Sequence, residues 1–326
     1  MAAFVNKPSQ KKMDAFRGRN ILDISNLCRE DIDTIMQTAA YYDKALGDKQ
    51  RLYDMDGKIM ASLFFEPSTR TRLSFEAAME RLGGKVITVT ETPSVQISSI
   101  AKGETLYDSI RVVNYYCDVI VCRSPIKGAR LEICRAATVP YINAGDGSDE
   151  HPTQALLDIY SIKKEKGNVD GLTYAICGDL KYGRAPHSFL DALAKFKAKK
   201  IILASPEELK MPKENIAKLD TDEIELEECF DFDYAAANAD VIYMTRVQKE
   251  RFSSAEEYER NKSLFIMTNK HVETFKPGAI ILHPLPRVDE IATEVDAYSG
   301  AAYFRQAGNG LPIRMALLAL VTGNVN

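Results

Sequence analysis

No apolar run in the sequence approaches the length of a membrane span. The stretch Met315–Val321 is the longest near the C-terminus, against the roughly 20 residues a bilayer requires. The N-terminal residues MAAFVNKPSQKKMDAF carry lysines but no apolar core, so no secretory signal is expected. A basic excess is missing too: the net charge is −4 and the pI about 5.8. That argues against a general nucleic-acid binder, whose mark is a basic surplus or stripe. The six cysteines (Cys28, Cys117, Cys122, Cys134, Cys177, Cys229) contain no Cys-x-x-Cys pair. Buried reduced thiols and a cytoplasmic location are therefore expected, not disulfides or a zinc site. There is no fixed-period repeat, no low-complexity segment, no Walker loop and no Gly-x-Gly-x-x-Gly fingerprint.

What is present is ordinary globular material, 45 % hydrophobic and 27 % charged in 326 residues, enough for about two domains. Short apolar runs alternate with helical patterns, as in a parallel α/β sheet. Strands are expected at Lys58–Phe65, Lys85–Thr90, Asp118–Cys122 and Val139–Asn143, then at Thr173–Cys177, Lys200–Ala204, Asp240–Met244 and Ala279–Leu282. The charged stretch Lys210–Glu228 reads as a solvated helix and its connection. Pro152 suits the first position of a helix after the turn-rich NAGDGSDEH, and Leu156, Ile159 and Tyr160 give that helix a buried face. The fold class expected is α/β, two doubly wound parallel-sheet domains with the active site in the cleft between them. The first domain covers 1–151, with the C-terminal helix 310–326 packing back on it, and the second covers 152–309.

In open α/β sheets ligands bind beyond the carboxyl ends of the strands. Six of these ends run into polar or basic clusters: Glu66-Pro-Ser-Thr-Arg-Thr-Arg72, Arg123-Ser-Pro, His151-Pro-Thr-Gln154, Gly178-Asp-Leu-Lys-Tyr-Gly-Arg184, Thr245-Arg-Val-Gln248 and His283-Pro-Leu-Pro-Arg287. Together they point to a site for anionic ligands. In the first cluster, Phe75, Ala78, Met79 and Leu82 recur at helical spacing and Gly83-Gly84 stops the pattern. Ser68-Thr69-Arg70-Thr71 therefore opens a helix, where free N–H groups and the dipole favour an anion. An ordinary Ser/Thr cap would account for the hydroxyls, but not for Arg70 and Arg72 flanking Thr71.

Phe-x-Glu-x-Ser-Thr-Arg-Thr-Arg (Phe64–Arg72) resembles the carbamoyl-phosphate loop of the aspartate/ornithine carbamoyltransferase family, and His151-Pro-Thr-Gln154 its shared second motif. Met244-Thr-Arg-Val-Gln-Lys-Glu-Arg251, His283-Pro-Leu-Pro-Arg287, Gly178–Arg184 and Ser98-x-x-x-Lys102-Gly-Glu-Thr are similar to the aspartate branch. The ornithine branch's His-Cys-Leu-Pro and Asp-x-x-x-Ser-Met-Gly segments do not occur. The resemblance covers about residues 17–322. It implies transfer of the carbamoyl group of carbamoyl phosphate to the amine of L-aspartate, giving N-carbamoyl-L-aspartate and phosphate, a step of de novo pyrimidine biosynthesis. An ornithine-type enzyme and a catalytically silent scaffold are the competing readings.

The resemblance also implies roles. Ser68, Thr69, Arg70 and Thr71 hold the phosphate, and Arg123 reaches phosphate and carbonyl oxygen. His151 and Thr71 donate to the carbonyl oxygen, while Gln154 and the carbonyls of Pro284 and Leu285, in the turn that includes Pro286, fix the carbamoyl NH₂ and the amine. Arg184 and Arg246, with Gln248, take the aspartate carboxylates. Ser98 and Lys102 enter the site of a neighbouring subunit, so a homotrimer with shared active sites is implied, and the segment Ser94–Lys102 reads as a mobile lid. Arg70, Thr71, Lys102, Arg123 and His151 are the expected catalytic set. Glu66 is expected to orient an arginine across the domain gap, and His283 to shape its turn. No cofactor, metal, nucleic acid or membrane is called for; regulatory subunits and pathway-enzyme partners are left open.

Overall fold

The chain is seen in a computed structural model that describes residues 7–91, 103–147, 149–219, 222–246 and 265–325. It forms two compact units. Unit 1 takes the chain up to Leu156 and again from Asn309; unit 2 is Leu157–Gly308.

After helices α1 (Gln10–Asp14) and α2 (Arg29–Gly47), unit 1 alternates β1 (Ile59–Phe64), α3 (Thr69–Arg81), β2 (Lys85–Thr90), α4 (Leu106–Val113), β3 (Val119–Ser124), α5 (Ala129–Ala136) and β4 (Tyr141–Asp146). Its four strands are parallel in the order β2-β1-β3-β4. β1, β3 and β4 are buried on nearly every residue, as expected of strands covered on both faces. Ala61, Leu63, Ile120 and Cys122 pack with Ile110, Ile133 and Tyr141 on one face. The C-terminal helix Gly310–Thr322 packs against α2 and α3.

The division between the units falls inside α6 (Pro152–Lys166). Unit 2 continues with β5 (Thr173–Cys177), α7 (Arg184–Leu193), β6 (Lys200–Ala204), α8 (Lys213–Ile216), β7 (Glu225–Cys229), α9 (Phe232–Asn238), β8 (Val241–Met244), the short helix Asn269–Val272, β9 (Ile280–Leu282) and the helix Tyr303–Gly308. Its sheet is parallel, in the order β7-β6-β5-β8-β9. Ala175, Ile202, Ile242 and Ile281 face Phe232, Phe265 and Tyr303. Phe189 stacks on Tyr243 with ring centroids 4.4 Å apart. No helix among the described residues is long and apolar enough to cross a membrane.

Two expectations need correction. The stretch Lys210–Glu228 is not a helix with its connection: after the single turn of α8 it enters the edge strand β7, in register with β6 from Lys200↔Glu225 to Ala204↔Cys229. Opposite charges meet across the two strands, with Lys200 Nζ 2.7 Å from Glu225 and 2.6 Å from Glu227. An edge strand tolerates such a glutamate-rich composition because its exposed positions need no apolar residue and charge blunts edge pairing. The thiols also differ from expectation: Cys122 and Cys177 are buried, whereas Cys117, Cys134 and Cys229 are half-buried and Cys28 is exposed. Burial pushes the Cys117 thiol up to about 11.

Candidate active site

In unit 1 the chain steps from β1 to β2 on one side and then to β3 on the other, so the order reverses between β1 and β3. Such a switch point leaves a crevice beyond the strand ends, because the two connections run off on opposite faces of the sheet. The residues carried there are those singled out in the sequence. Phe64 pairs with Arg123, Ser124 with Asp146, and the Phe65 N–H donates to the Arg123 carbonyl at 2.9 Å. Arg123 thus lies within β3, where the register shifts between Cys122 and Ser124, and not beyond the strand's end.

Its guanidinium is buried and ion-paired with Glu66 at 3.1 Å. This ion pair of Glu66 lies inside unit 1. The Arg123 Nη1 also donates to the Ala144 carbonyl at 3.4 Å. Gly145 stands beside it at φ +130, where a Cβ would come within 3.1 Å of that Nη1. Glycine there lets the backbone close over the guanidinium.

The sequence segment after β1 opens α3 as expected. Ser68 is the N-cap with φ −157 and ψ 96, its side chain makes no capping hydrogen bond, and the first turn contains no acidic residue. Thr69 and Arg70 are exposed, Ser68 is half-buried and Thr71 is buried. Partial desolvation pulls the Arg70 pKa down from its ordinary value, yet an arginine keeps its charge at neutral pH. A helix N-terminus without an acid, furnished with hydroxyls and an arginine, is an anion cradle.

His151 is buried at the entry to α6, and the half-buried Gln154 stands in its first turn with its N–H donated to the His151 carbonyl at 3.0 Å. Two arginines brace this region. Arg130 Nη1 lies 2.5 Å from both Asp146 and Asp149, clamping the turn that leads to His151. Arg314, buried on the C-terminal helix, donates to Thr153 Oγ1 at 3.3 Å and sits over the Phe75 ring of α3. Sequence reasoning passed over both. A lone arginine in the apolar run Gly310–Thr322 was the available signal for Arg314.

Unit 2 repeats the logic at β5 and β8, where its own strand order reverses. Gly178 follows β5 at φ +113, and a Cβ would come within 2.3 Å of the Thr245 carbonyl oxygen, so only glycine admits this approach. The Thr245 N–H donates to the Cys177 carbonyl at 2.9 Å. Asp179 Oδ1 accepts from the Lys181 and Tyr182 amides, closing the turn before Arg184 at the start of α7. Arg184 and Arg246, both half-buried, thus leave from the two strands that flank the switch point.

The turn after β9 is held from many sides. The His283 N–H donates to Gln306 Oε1 at 2.8 Å, Gln306 Nε2 to Asp158 Oδ1 at 2.6 Å, and the Tyr243 hydroxyl to Asp158 Oδ2 at 2.9 Å. The Leu285 N–H donates to His283 Nδ1 at 2.8 Å, and Leu285 takes a positive φ of 55 before a cis bond to Pro286. Pro284 and Leu285 are half-buried and Pro286 is exposed. Arg287 is engaged by Asp296, with Nη2 2.7 Å from Oδ2, and by the Tyr303 hydroxyl. Burial pushes the Glu290 carboxyl up, but His283 and the backbone amides outweigh it and hold the group below the usual carboxylate range. Asp158, Gln306 and Glu290 were not anticipated; an aspartate on the buried face of α6 was the clue. Ser98, Lys102 and Gln248, with the expected lid, lie outside the described residues.

Residues 19–164 match the family model described as aspartate/ornithine carbamoyltransferase, carbamoyl-P binding domain, and residues 170–321 match its Asp/Orn binding domain. The aspartate carbamoyltransferase catalytic subunit of Thermococcus gammatolerans is 47% identical over 308 residues, covering 94% of this chain and 99% of that protein. That of Methanosarcina barkeri is 47% identical over 309 residues, covering 95% and 99%. Among solved structures, aspartate transcarbamoylase from Trypanosoma cruzi in complex with carbamoyl phosphate is similar at a TM-score of 0.89 and 39% identity, over 96% of this chain and 99% of that one. The same enzyme with N-(phosphonacetyl)-L-aspartic acid gives 0.87 and 38%, over 98% and 99%.

Proposed function

The chain belongs to the aspartate/ornithine carbamoyltransferase family, and from this we propose how its residues divide the work of one reaction. The protein transfers the carbamoyl group of carbamoyl phosphate to the amine of L-aspartate, giving N-carbamoyl-L-aspartate and phosphate. The observation that carries this reading is the placement of cationic and hydroxyl side chains at the switch point of each sheet: Ser68–Thr71 and Arg123 in unit 1, Arg184 and Arg246 in unit 2.

The aspartate amine attacks the carbamoyl carbon, negative charge builds on the carbonyl oxygen, and phosphate leaves. No covalent nucleophile is needed; fixed donors and positioning supply the acceleration. Ser68, Thr69, Arg70 and Thr71 hold the phosphate at the α3 N-terminus, where the first amides of a helix have no intrahelical acceptor and favour an anion. Arg123 donates to phosphate and carbonyl oxygen; its ion pair with Glu66 and the closure of Gly145 keep the guanidinium from swinging away. His151 and Thr71 stabilise the oxyanion, and a neutral imidazole is a sufficient donor. Gln154 and the carbonyls of Pro284 and Leu285 accept from the carbamoyl NH₂ and the amine. Arg184 and Arg246, with Gln248, grip the two carboxylates of aspartate, for which planar guanidinium forks are well shaped.

The homotrimer belongs to the same reading. Ser98 and Lys102 of each subunit serve its neighbour, in a cytoplasmic enzyme, with Pro286 closing the turn beside Leu285. The test is carbamoyl-aspartate formation and phosphate release by the purified chain across a dilution series, with ornithine as control. Activity with aspartate alone, falling as the oligomer dissociates, is the expected result. Turnover with ornithine overturns the substrate assignment, and full activity in the monomer overturns the roles of Ser98 and Lys102.

A further inference from the structure

We propose that His283 and Glu290 are positioning residues for the Pro284–Leu285 carbonyls, acting through one obligatory tautomer of the His283 imidazole. The proposal rests on the reading that these carbonyls orient the reacting nitrogen groups.

The donors and acceptors around the ring leave a single solution. The Leu285 N–H, 2.8 Å from Nδ1, can only donate, so Nδ1 must be the lone-pair nitrogen. The proton then resides on Nε2, which lies 2.7 Å from Glu290 Oε1. That contact is off-line for an ideal hydrogen bond, but a lone pair on Nε2 would repel a carboxylate oxygen this close, so the proton belongs on Nε2. A doubly protonated ring would turn Nδ1–H against the Leu285 N–H and open the turn. The other carboxylate oxygen of Glu290 accepts from the Val288 and Asp289 amides at 3.1 Å each. Glu290 thus needs both oxygens as acceptors, one to hold the imidazole proton and one to hold the far side of the loop.

The turn requires such a device because of its backbone. Leu285 sits at φ 55, a left-handed conformation that a branched side chain disfavours. The bond from its N–H to His283 Nδ1 spans Pro284 and fixes the peptide plane that carries the Pro284 carbonyl and leads into that residue. The near end of the turn is anchored separately, by the His283 N–H on Gln306 and through it Asp158. The imidazole therefore decides the direction of the carbonyls, while the Asp158 network decides where the turn begins.

The side-chain geometry supplies a discriminating pair of variants. In His283→Asn the amide oxygen replaces Nδ1 and still accepts from Leu285, but nothing reaches Glu290. In His283→Gln the polar end replaces Nε2 and meets Glu290, but Leu285 loses its acceptor. Both are polar and of similar size, so a general loss of folding does not separate them. The expected result is that His283→Asn retains most of the wild-type kcat, whereas His283→Gln loses about 100-fold, the scale of a misplaced reacting group. Inhibition by inorganic phosphate should be unchanged in both, since unit 1 holds that ligand. Glu290→Gln, which must present an NH₂ to one of its two partners, should fall between them. Nitrogen-15 spectra of the imidazoles in the wild-type protein should show His283 as the Nε2–H tautomer. Equal losses in the Asn and Gln variants, the reverse order, or an Nδ1–H tautomer would overturn the proposal. A wild-type protein that makes no carbamoyl-aspartate would overturn the functional reading instead, whatever the spectra show.

Discussion

The segments after β1 and after β9 both leave the carboxyl end of a parallel strand, yet they are built in opposite ways. From Ser68 to Thr71 the chain commits few of its polar groups: the Ser68 side chain does not cap the helix and no acid occupies the first turn. From His283 to Arg287 polar groups are bonded inward, to Gln306, Glu290, Asp296 and Tyr303. The contrast follows from what each must do. An anion cradle works through donors that are still available, so its rigidity is borrowed from the buried face of α3, Phe75, Ala78 and Met79. A segment that presents carbonyls in fixed directions has no helix to lend it rigidity and must be saturated to stay in place.

Activity should separate the two units most sharply. Arg70→Ala is expected to lower kcat/KM for carbamoyl phosphate by about 1,000-fold, the upper range for losing one charge-stabilising donor. Arg246→Ala should lose about 100-fold, expressed in the aspartate KM. Steady-state kinetics with each substrate varied in turn check both. Indistinguishable profiles would break the division of labour between the units.

Stability comes next. Gly178→Ala forces a side chain onto the Thr245 carbonyl at an unfavourable φ, and urea unfolding should show a loss of about 3 kcal/mol. Asp158→Ala strands the Tyr243 hydroxyl and the Gln306 amide inside unit 2, at an expected cost of about 2 kcal/mol. Ser74→Ala is the counterpart beside the proposed phosphate cradle. That hydroxyl bonds only the Arg70 and Thr71 carbonyls of its own helix, so the change should stay within about 0.5 kcal/mol. Similar losses for Asp158 and Ser74 would remove the contrast between a saturated and an open segment.

The smallest effect expected is one of pH. The Glu290 pKa is lower in the folded protein than the ordinary carboxylate value, so its contribution is complete above the unfolded carboxylate pKa and lost as pH falls through the folded one. The urea midpoint of the wild type should therefore fall more steeply than that of Glu290→Gln below about pH 4.3. Parallel pH profiles would show that the carboxylate contributes no such linkage.

Much of this was legible in advance because parallel strands covered on both faces must be continuous apolar runs. Thr173–Cys177 and Lys200–Ala204 are legible in this way with the limits the structure shows, whereas Lys85–Thr90, a largely exposed edge strand, is legible through its β-branched residues. β7 was not, since an edge strand made of Glu225, Leu226, Glu227, Glu228 and Cys229 carries no apolar pattern. Its partner strand begins at Lys200, 25 residues before Glu225 in the chain but adjacent to it across the sheet.

The candidate site divides in the same way. Residue types that meet a substrate are visible as clusters after strands, because hydroxyls, arginines and a His-Pro-Thr-Gln run have little other reason to gather there. The sequence by itself thus determined the α/β class and the family, and it marks the side chains proposed to meet two anionic substrates. Only the tertiary structure decided that Glu66 pairs with Arg123, that Arg314 braces Thr153 against Phe75, and that Asp158, Gln306 and Glu290 govern the turn after β9. Most of those partners are buried polar groups, and several of their bonds reach far along the chain, 148 residues between Asp158 and Gln306. Local propensity and periodicity describe neighbours in sequence; what satisfies a buried charge is settled by which elements the packed core brings beside it.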